Sequence, residues 1–479
     1  MTPEEFRAAG HSLIDWISDY REGIEQMPVR AQVAPGDIRN GLPDLPPQQP
    51  ESLQTLLDDL QDIILPGITQ VQHPMHFGWF PSNASLASVL GDIASSGLGT
   101  IGISWESCPA LTELEEVVCD WLRQLTGLSS QWEGSIQDTA STACLTALLV
   151  AREKASDFSE SRGGLQAESK PLIVYSTEEA HSSVRKAALL AGFGKDNLRM
   201  IKVDANTRAM LAADLEACIE RDLAKGCVPA AIIASVGSTG VTAIDPIDQI
   251  AKIANRYGTW LHVDAAMAGS AMLLPECRYL WQGVENADSI SWNPHKWMGT
   301  ILDCSLFYVR DPQHLIRVMS TNPSYLRSSV DEEATQYRDW GIPLGRRFRA
   351  LKLWFHLRLD GPDAIRDRLR RDLDNSKWFA GQVDKAADWK VITPVNLQTI
   401  CIRHQPAGLE GETLDTHTLN WVGRINQSGE AFMSPSQLDG RWMVRVSIGV
   451  EATTRAHVEK LWKLIQNTAI DCYQYIETR

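Results

Sequence analysis

The sequence predicts an α/β protein, with a mostly parallel central sheet flanked by helices, a helical arm before it and a small α+β domain after it. Three observations carry that reading. Between about residues 85 and 350, short β-branched runs alternate with helical segments: LIVYS at 172–176, AIIASV at 231–236, WLHVDAA at 260–266, SISW at 289–292 and SLFYV at 305–309. Strands that alternate with helices imply right-handed crossovers and parallel pairing. An amphipathic helix and a Pro-rich stretch precede this region, and the order helix, strand, helix, strand, helix follows it. The expected division is therefore 1–84 as an N-terminal arm and dimerisation segment, 85–351 as the large domain and 352–479 as the small one.

The arm opens on Thr2-Pro3-Glu4-Glu5, a capping box with proline at the first helical position. Leu13, Trp16, Ile17, Tyr20 and Ile24 follow at helical spacing. Pro28 to Pro50, rich in Pro, Gly, Asp and Gln, reads as an extended arm, and a helix tethered this way suits packing on its own domain or on a second subunit. In the large domain the chemistry is expected just after each strand, because ligands of parallel sheets sit at the carboxyl ends. Past residue 352, LKLWFHLRL and a charged segment to about 388 read as helix, and TICIRH at 399–404 and WMVRVSI at 442–448 as strands.

Composition narrows the function. In 479 residues, 45 Lys plus Arg against 60 Asp plus Glu leave a net charge of −15, spread along the chain, which disfavours nucleic acid and anionic membranes. No apolar run approaches a membrane span, and the acidic, amphipathic start is unlike a signal peptide, so a cytoplasmic protein is expected. Nine scattered cysteines without a C-x-x-C pair argue for reduced thiols and against a zinc ribbon. His262 and Asp264 have H-x-D spacing, but no third ligand cluster accompanies them, so no metal is expected. Gly97 to Gly102 matches G-x-G-x-x-G, yet it follows a helical segment instead of a strand and reads as a flexible loop.

The informative stretch is Ser291-Trp292-Asn293-Pro294-His295-Lys296-Trp297, after a strand, paired with His262-Val263-Asp264-Ala265-Ala266 at the end of the strand before. A lysine amine there can form an imine with an aldehyde, and an aspartate in the same cleft can hold a pyridine nitrogen protonated. Those are the two protein groups that pyridoxal phosphate needs. Asp138-Thr139-Ala140-Ser141-Thr142 supplies amides and small hydroxyls at a helix start, where a phosphate is held. Gly237-Ser238-Thr239-Gly240 offers a second hydroxyl cluster, and His181 opens a helix after 172–176, where an imidazole can stack on a flat ring.

With these residues in view, the sequence resembles the group II pyridoxal-phosphate decarboxylases, and within them the bacterial aromatic-L-amino-acid (DOPA/tryptophan) decarboxylases. The resemblance runs through HFGWFPSNAS, ISWESCPALTELE, IQDTAST, AHSSV, HVDAAMAGSA, NPHKW, LDCS and IPLGRRFRALKLW. It implies fold type I of the pyridoxal-phosphate enzymes and a homodimer. It implies Lys296 as the Schiff-base lysine, Asp264 as the pyridinium partner, Ala266 beneath the ring and His181 stacked on it. Thr139, Ala140, Ser141, Thr239, Asn293 and His295 become the remaining phosphate and ring contacts. Trp79, Phe80, Pro81, Ser82, Ile101, Ile103 and Gly345 fall on the substrate-binding segments, with Trp79 where many members have tyrosine. Tyr325 matches a loop tyrosine, contributed by the neighbouring subunit, that protonates the carbon after CO2 leaves. Members with phenylalanine there tend towards aldehyde formation. The resemblance thus implies decarboxylation of an aromatic amino acid to its amine, with an aldehyde synthase as the alternative. A catalytically silent binding protein is the reading from another class, and intact Lys296, Asp264 and Tyr325 speak against it.

Overall fold

The computed structural model describes residues 1–321, 330–331 and 333–477, with side chains to 474. The chain divides into two units, Met1–Pro81 with Trp378–Val391 and Ile402–Arg479, and Ser82–Lys377 with Ile392–Cys401. Among the described residues the strands are β1 (His76–Phe77), β2 (Glu133–Gln137), β3 (Leu172–Ser176), β4 (Leu198–Met200), β5 (Val228–Ser235), β6 (Trp260–Asp264), β7 (Ser289–Trp292), β8 (Ser305–Val309), β9 (Trp389–Val391), β10 (Thr399–His404), β11 (Phe432–Leu438) and β12 (Arg441–Ser447).

The second unit is built on a seven-stranded sheet in the order β2-β8-β7-β6-β5-β3-β4. β4, β3, β5, β6 and β7 run parallel, whereas β8 is antiparallel to both β7 and β2. The helix Ala140–Ala155 packs on it through Ala143, Cys144, Ala147, Leu148, Val150 and Ala151. Small side chains let the helix backbone approach β5 and β8 closely, and each fully buried Leu or Val contributes about 1.5–3 kcal/mol. The run at 260–266 leaves the sheet at Asp264, whose carboxylate accepts the amide N–H of Ala266 at 3.0 Å and turns the chain. β2 and β4 escape the sequence pattern: EGSIQ holds a single β-branched residue, and LRM is three residues long.

The five-stranded sheet β1-β11-β12-β10-β9 belongs to the first unit except for Thr399–Cys401 of β10. The unit's opening helix, Pro3–Gly23, has the expected capping box, with Glu5 N–H to Thr2 Oγ1 at 3.2 Å and Thr2 N–H to Glu5 Oε2 at 2.7 Å. None of that helix's residues is buried. The arm is not wholly extended. Gly36, at φ 104°, admits the short helix Asp37–Gly41, and Asp37 accepts the amide of Ala34 at 2.7 Å. Gly97 to Gly102 is likewise no loose loop: Gly97 lies in the last turn of the helix Leu86–Leu98, Gly99 at φ 59° ends it, and Gly102 bridges to Arg346. Among the described residues the nine cysteines form no disulfide.

Buried histidines set an acid limit. Burial pushes His76, His262, His295, His404 and His417 down to about 4 and His356 to about 3. In the unfolded chain each titrates near 6.5. Above that pH neither state binds the proton; between 6.5 and 4 the unfolded chain takes up protons that the fold refuses, so stability falls. A fully buried ring such as His262 costs up to about 3 kcal/mol by pH 4. Asp245 and Asp372, raised by burial to about 6, act in the opposite sense, since the fold protonates them first. Six groups outweigh two, so the urea midpoint is expected to drop steadily from pH 6.5 to 4. A flat profile over that window contradicts the assignment.

Candidate active site

The carboxyl ends of β5, β6 and β7 are stitched together by main-chain bonds. Val236 N–H donates to Asp264 O, Ala265 N–H to Ser291 O and Asn293 N–H to Ala266 O, each at 2.9 Å. Asp264 and Ser291 are paired in register. This places Asp264 and Ala266 beside the turn that bears Lys296. In the run 260–275 only Asp264, Ala266 and Pro275 are not buried, and from 291 to 300 Lys296 alone is not buried. A partly open lysine amid buried neighbours is accessible to a ligand.

His181 caps the helix Ser182–Leu190, its Nδ1 accepting the amide of Ser183 at 3.2 Å and lying 2.7 Å from Ser183 Oγ. Although much of its surface is exposed, partial desolvation holds its pKa below the ordinary value, Asp264 opposing the shift and Lys296 reinforcing it. Asp264 and Lys296 are thus the two charges that act on this imidazole. Cys144 is buried in the core, its thiol pushed up by burial and then by Asp264.

Neighbours fix the remaining groups. His295 Nδ1 accepts the amide of Cys304 at 3.1 Å, so its neutral ring carries the proton on Nε2, and burial followed by the Lys296 charge keeps it neutral, with a pKa of about 4. Asn293 Oδ1 accepts from Ser305 Oγ at 2.6 Å. The role of Cys304 and Ser305 in the LDCS stretch is thus to orient Asn293 and His295, a role that sequence alone did not suggest. His262 is no metal ligand: its ring nitrogens lie 2.9 and 3.3 Å from the hydroxyls of Ser289 and Ser291 inside the sheet.

The helix Ala140–Ala155 starts behind Thr139 with no side-chain cap, while Ala140, Ser141 and Thr142 remain accessible. Uncapped amides and the helix dipole suit a phosphate. Thr239 is partly open, in a turn where Ser238 Oγ accepts the amide of Ala243 at 3.0 Å. The donor set fits pyridoxal phosphate: an amine, a carboxylate, an imidazole and a helix start.

The segments expected to bind substrate divide between the units. In the first, Trp79 adopts φ 51°, its N–H donating to Ser434 Oγ at 2.7 Å and its ring packing on Phe432 at 5.1 Å. Phe80 lies under the Arg445 guanidinium at 5.2 Å, followed by buried Pro81. In the second, Ser82 is half-buried, Ile103 N–H donates to Ser107 Oγ at 3.0 Å, and Ile101 is exposed. Gly345 meets Ile101: a Cβ there stands 3.4 Å from Ile101 Cδ1. Tyr325 lies outside the described residues.

A lysine and an aspartate at adjoining strand ends, with a histidine and a helix start around them, define a pyridoxal-phosphate enzyme of fold type I. The model for the pyridoxal-dependent decarboxylase conserved domain matches residues 35–405. Phenylacetaldehyde synthase of Arabidopsis thaliana is 40% identical over 98% of this chain and 96% of its own length. Tyrosine decarboxylase 3 of Petroselinum crispum is 40% identical over 98% and 92%. The crystal structure of Oryza sativa TDC with PLP and tryptamine is similar with a TM-score of 0.95 at 35% identity, covering 98% of this chain and 99% of that one. The chain belongs to the pyridoxal-dependent decarboxylase family. It is a pyridoxal-phosphate-dependent carboxy-lyase.

Proposed function

We propose that the protein removes the α-carboxylate of an aromatic L-amino acid, of the DOPA, tryptophan, 5-hydroxytryptophan, tyrosine or phenylalanine class, and releases the amine and CO2. The observation that carries this reading is that Asp264 and the turn bearing Lys296 stand at the adjoining ends of β6 and β7. Lys296 holds the cofactor through Nζ, and Asp264 keeps a proton on the pyridine nitrogen. Thr139, Ala140, Ser141 and Thr239 receive the phosphate, His295 and Asn293 complete its surroundings, Ala266 leaves room under the ring and His181 covers it. When bound, pyridoxal phosphate accepts the electron pair left as the bond to the carboxylate breaks. Tyr325 then delivers a proton to the same carbon.

Aromatic side chains suit Trp79, Phe80, Ile101 and Ile103, and Gly345 leaves space for a catechol or indole. The three relatives described above include both an amine-forming and an aldehyde-forming enzyme, which supports the aldehyde synthase as the alternative. A panel of amino acids scored for amine, aldehyde, CO2 and hydrogen peroxide decides: amine from aromatic substrates is the expected result, and turnover confined to acidic substrates such as glutamate contradicts it.

The active unit is a homodimer in the cytoplasm. The unburied helix Pro3–Gly23 and exposed Leu86, Leu90, Ile93 and Leu98 support subunit contact. Among the described residues no helix is long and apolar enough to cross a membrane. Sedimentation as a single chain contradicts the dimer.

A further inference from the structure

The turn that carries Lys296 departs from helical geometry at the lysine itself, with φ −94° and ψ −116°. The residue after it, Trp297, is fully buried, and its Nε1–H donates to Asp372 Oδ2 at 2.9 Å. Asp372 belongs to the helix Pro362–Lys385 and is fully buried as well. One turn earlier on that helix, Arg368 donates to the carbonyl oxygens of Trp297 at 2.7 Å and Met298 at 2.5 Å, with Nη1 3.6 Å from Asp372 Oδ2. Arg371 holds the other carboxylate oxygen at 3.3 Å. Gly299, at φ 110°, closes the turn, and a Cβ there stands 3.2 Å from Arg368 Nη2.

A buried carboxylate is costly, and an apolar side chain of similar volume is often neutral or stabilising in its place. Here the carboxylate is aimed at the residue next to the lysine, and its arginine partner grips the two carbonyls that follow. We propose that Asp372, with Arg368, is a positioning residue that fixes the Trp297 indole and the Trp297–Met298 carbonyls and so sets the direction in which Lys296 Nζ leaves the turn. This deepens the proposed function and rests on Lys296 holding the cofactor.

Three variants test it, read by the pyridoxal phosphate dissociation constant and by visible circular dichroism of the bound cofactor. Asp372→Leu removes the acceptor, Trp297→Phe removes the donor while keeping a ring, and Asp372→Asn keeps an oxygen for the indole. A hydrogen bond to a charged group is worth enough that the first two are expected to weaken cofactor retention about 10–100-fold, with Asp372→Asn within about threefold. Both weakened variants should also change the visible dichroism, which a loss of global stability alone does not do. The double variant Asp372→Leu, Trp297→Phe should be no worse than the poorer single one, because the two share one bond. If Asp372→Leu fails to fold, Trp297→Phe decides alone. Parental affinity and dichroism in a folded variant overturn the proposal, as do additive losses in the double variant. A reduced cofactor label on a lysine other than Lys296 overturns the cofactor assignment instead, so the two failures are distinguishable.

Discussion

Asp264→Asn is expected to keep its cofactor and lose at least about 10²-fold in decarboxylation rate, the scale on which preorganised charge acts in active sites. Asparagine matches aspartate in size, and its Oδ1 can still accept the Ala266 amide that turns the chain after β6. What disappears is the negative charge that favours a proton on the pyridine nitrogen. His181 provides an internal check. Asp264 raises its pKa against the burial that lowers it, so removing that charge should move the imidazole further down, by an amount that NMR titration can follow. Near-parental turnover shows instead that another group holds the ring proton.

Tyr325→Phe separates the two nearest activities. The carbon that loses CO2 must receive a proton, and a phenol delivers it where phenylalanine cannot. General acid catalysis is worth about 10²–10⁴-fold, so amine formation should fall by that factor. Unprotonated, the same carbon becomes open to oxidation by molecular oxygen. Substrate, O2 and water then yield aldehyde, CO2, ammonia and hydrogen peroxide. The variant is thus expected to gain aldehyde and peroxide while substrate binding stays about normal. A parent enzyme that already makes mainly aldehyde, or a variant with undiminished amine formation, removes Tyr325 from the role of acid.

What could be read in the sequence follows from how local each signal is. LIVYS, SISW and SLFYV match β3, β7 and β8 residue for residue, because β-branched and aromatic side chains suit a buried pleated surface. The placement of Asp264 at the end of β6 and of Lys296 just after β7 was legible because each closes or follows such a run. β11 was not: FMSPSQL contains a proline and three polar residues, and it is a strand because it pairs with β12. Long-range contacts were equally hidden. Nothing local marks Asp372, 75 positions from Trp297, as the partner of the lysine turn, nor Ser434 as the acceptor for the Trp79 amide. His262 shows the limit of spacing. H-x-D does put both side chains on one face of β6, yet two serines of the next strand already occupy the imidazole.

Borohydride treatment of the cofactor-loaded protein, followed by peptide mapping, tests the central claim most directly. Reduction fixes the cofactor to the amine that holds it and should abolish the visible band. The account predicts a single label on the peptide containing Lys296; a label on any other lysine, or no visible band after addition of pyridoxal phosphate, contradicts it.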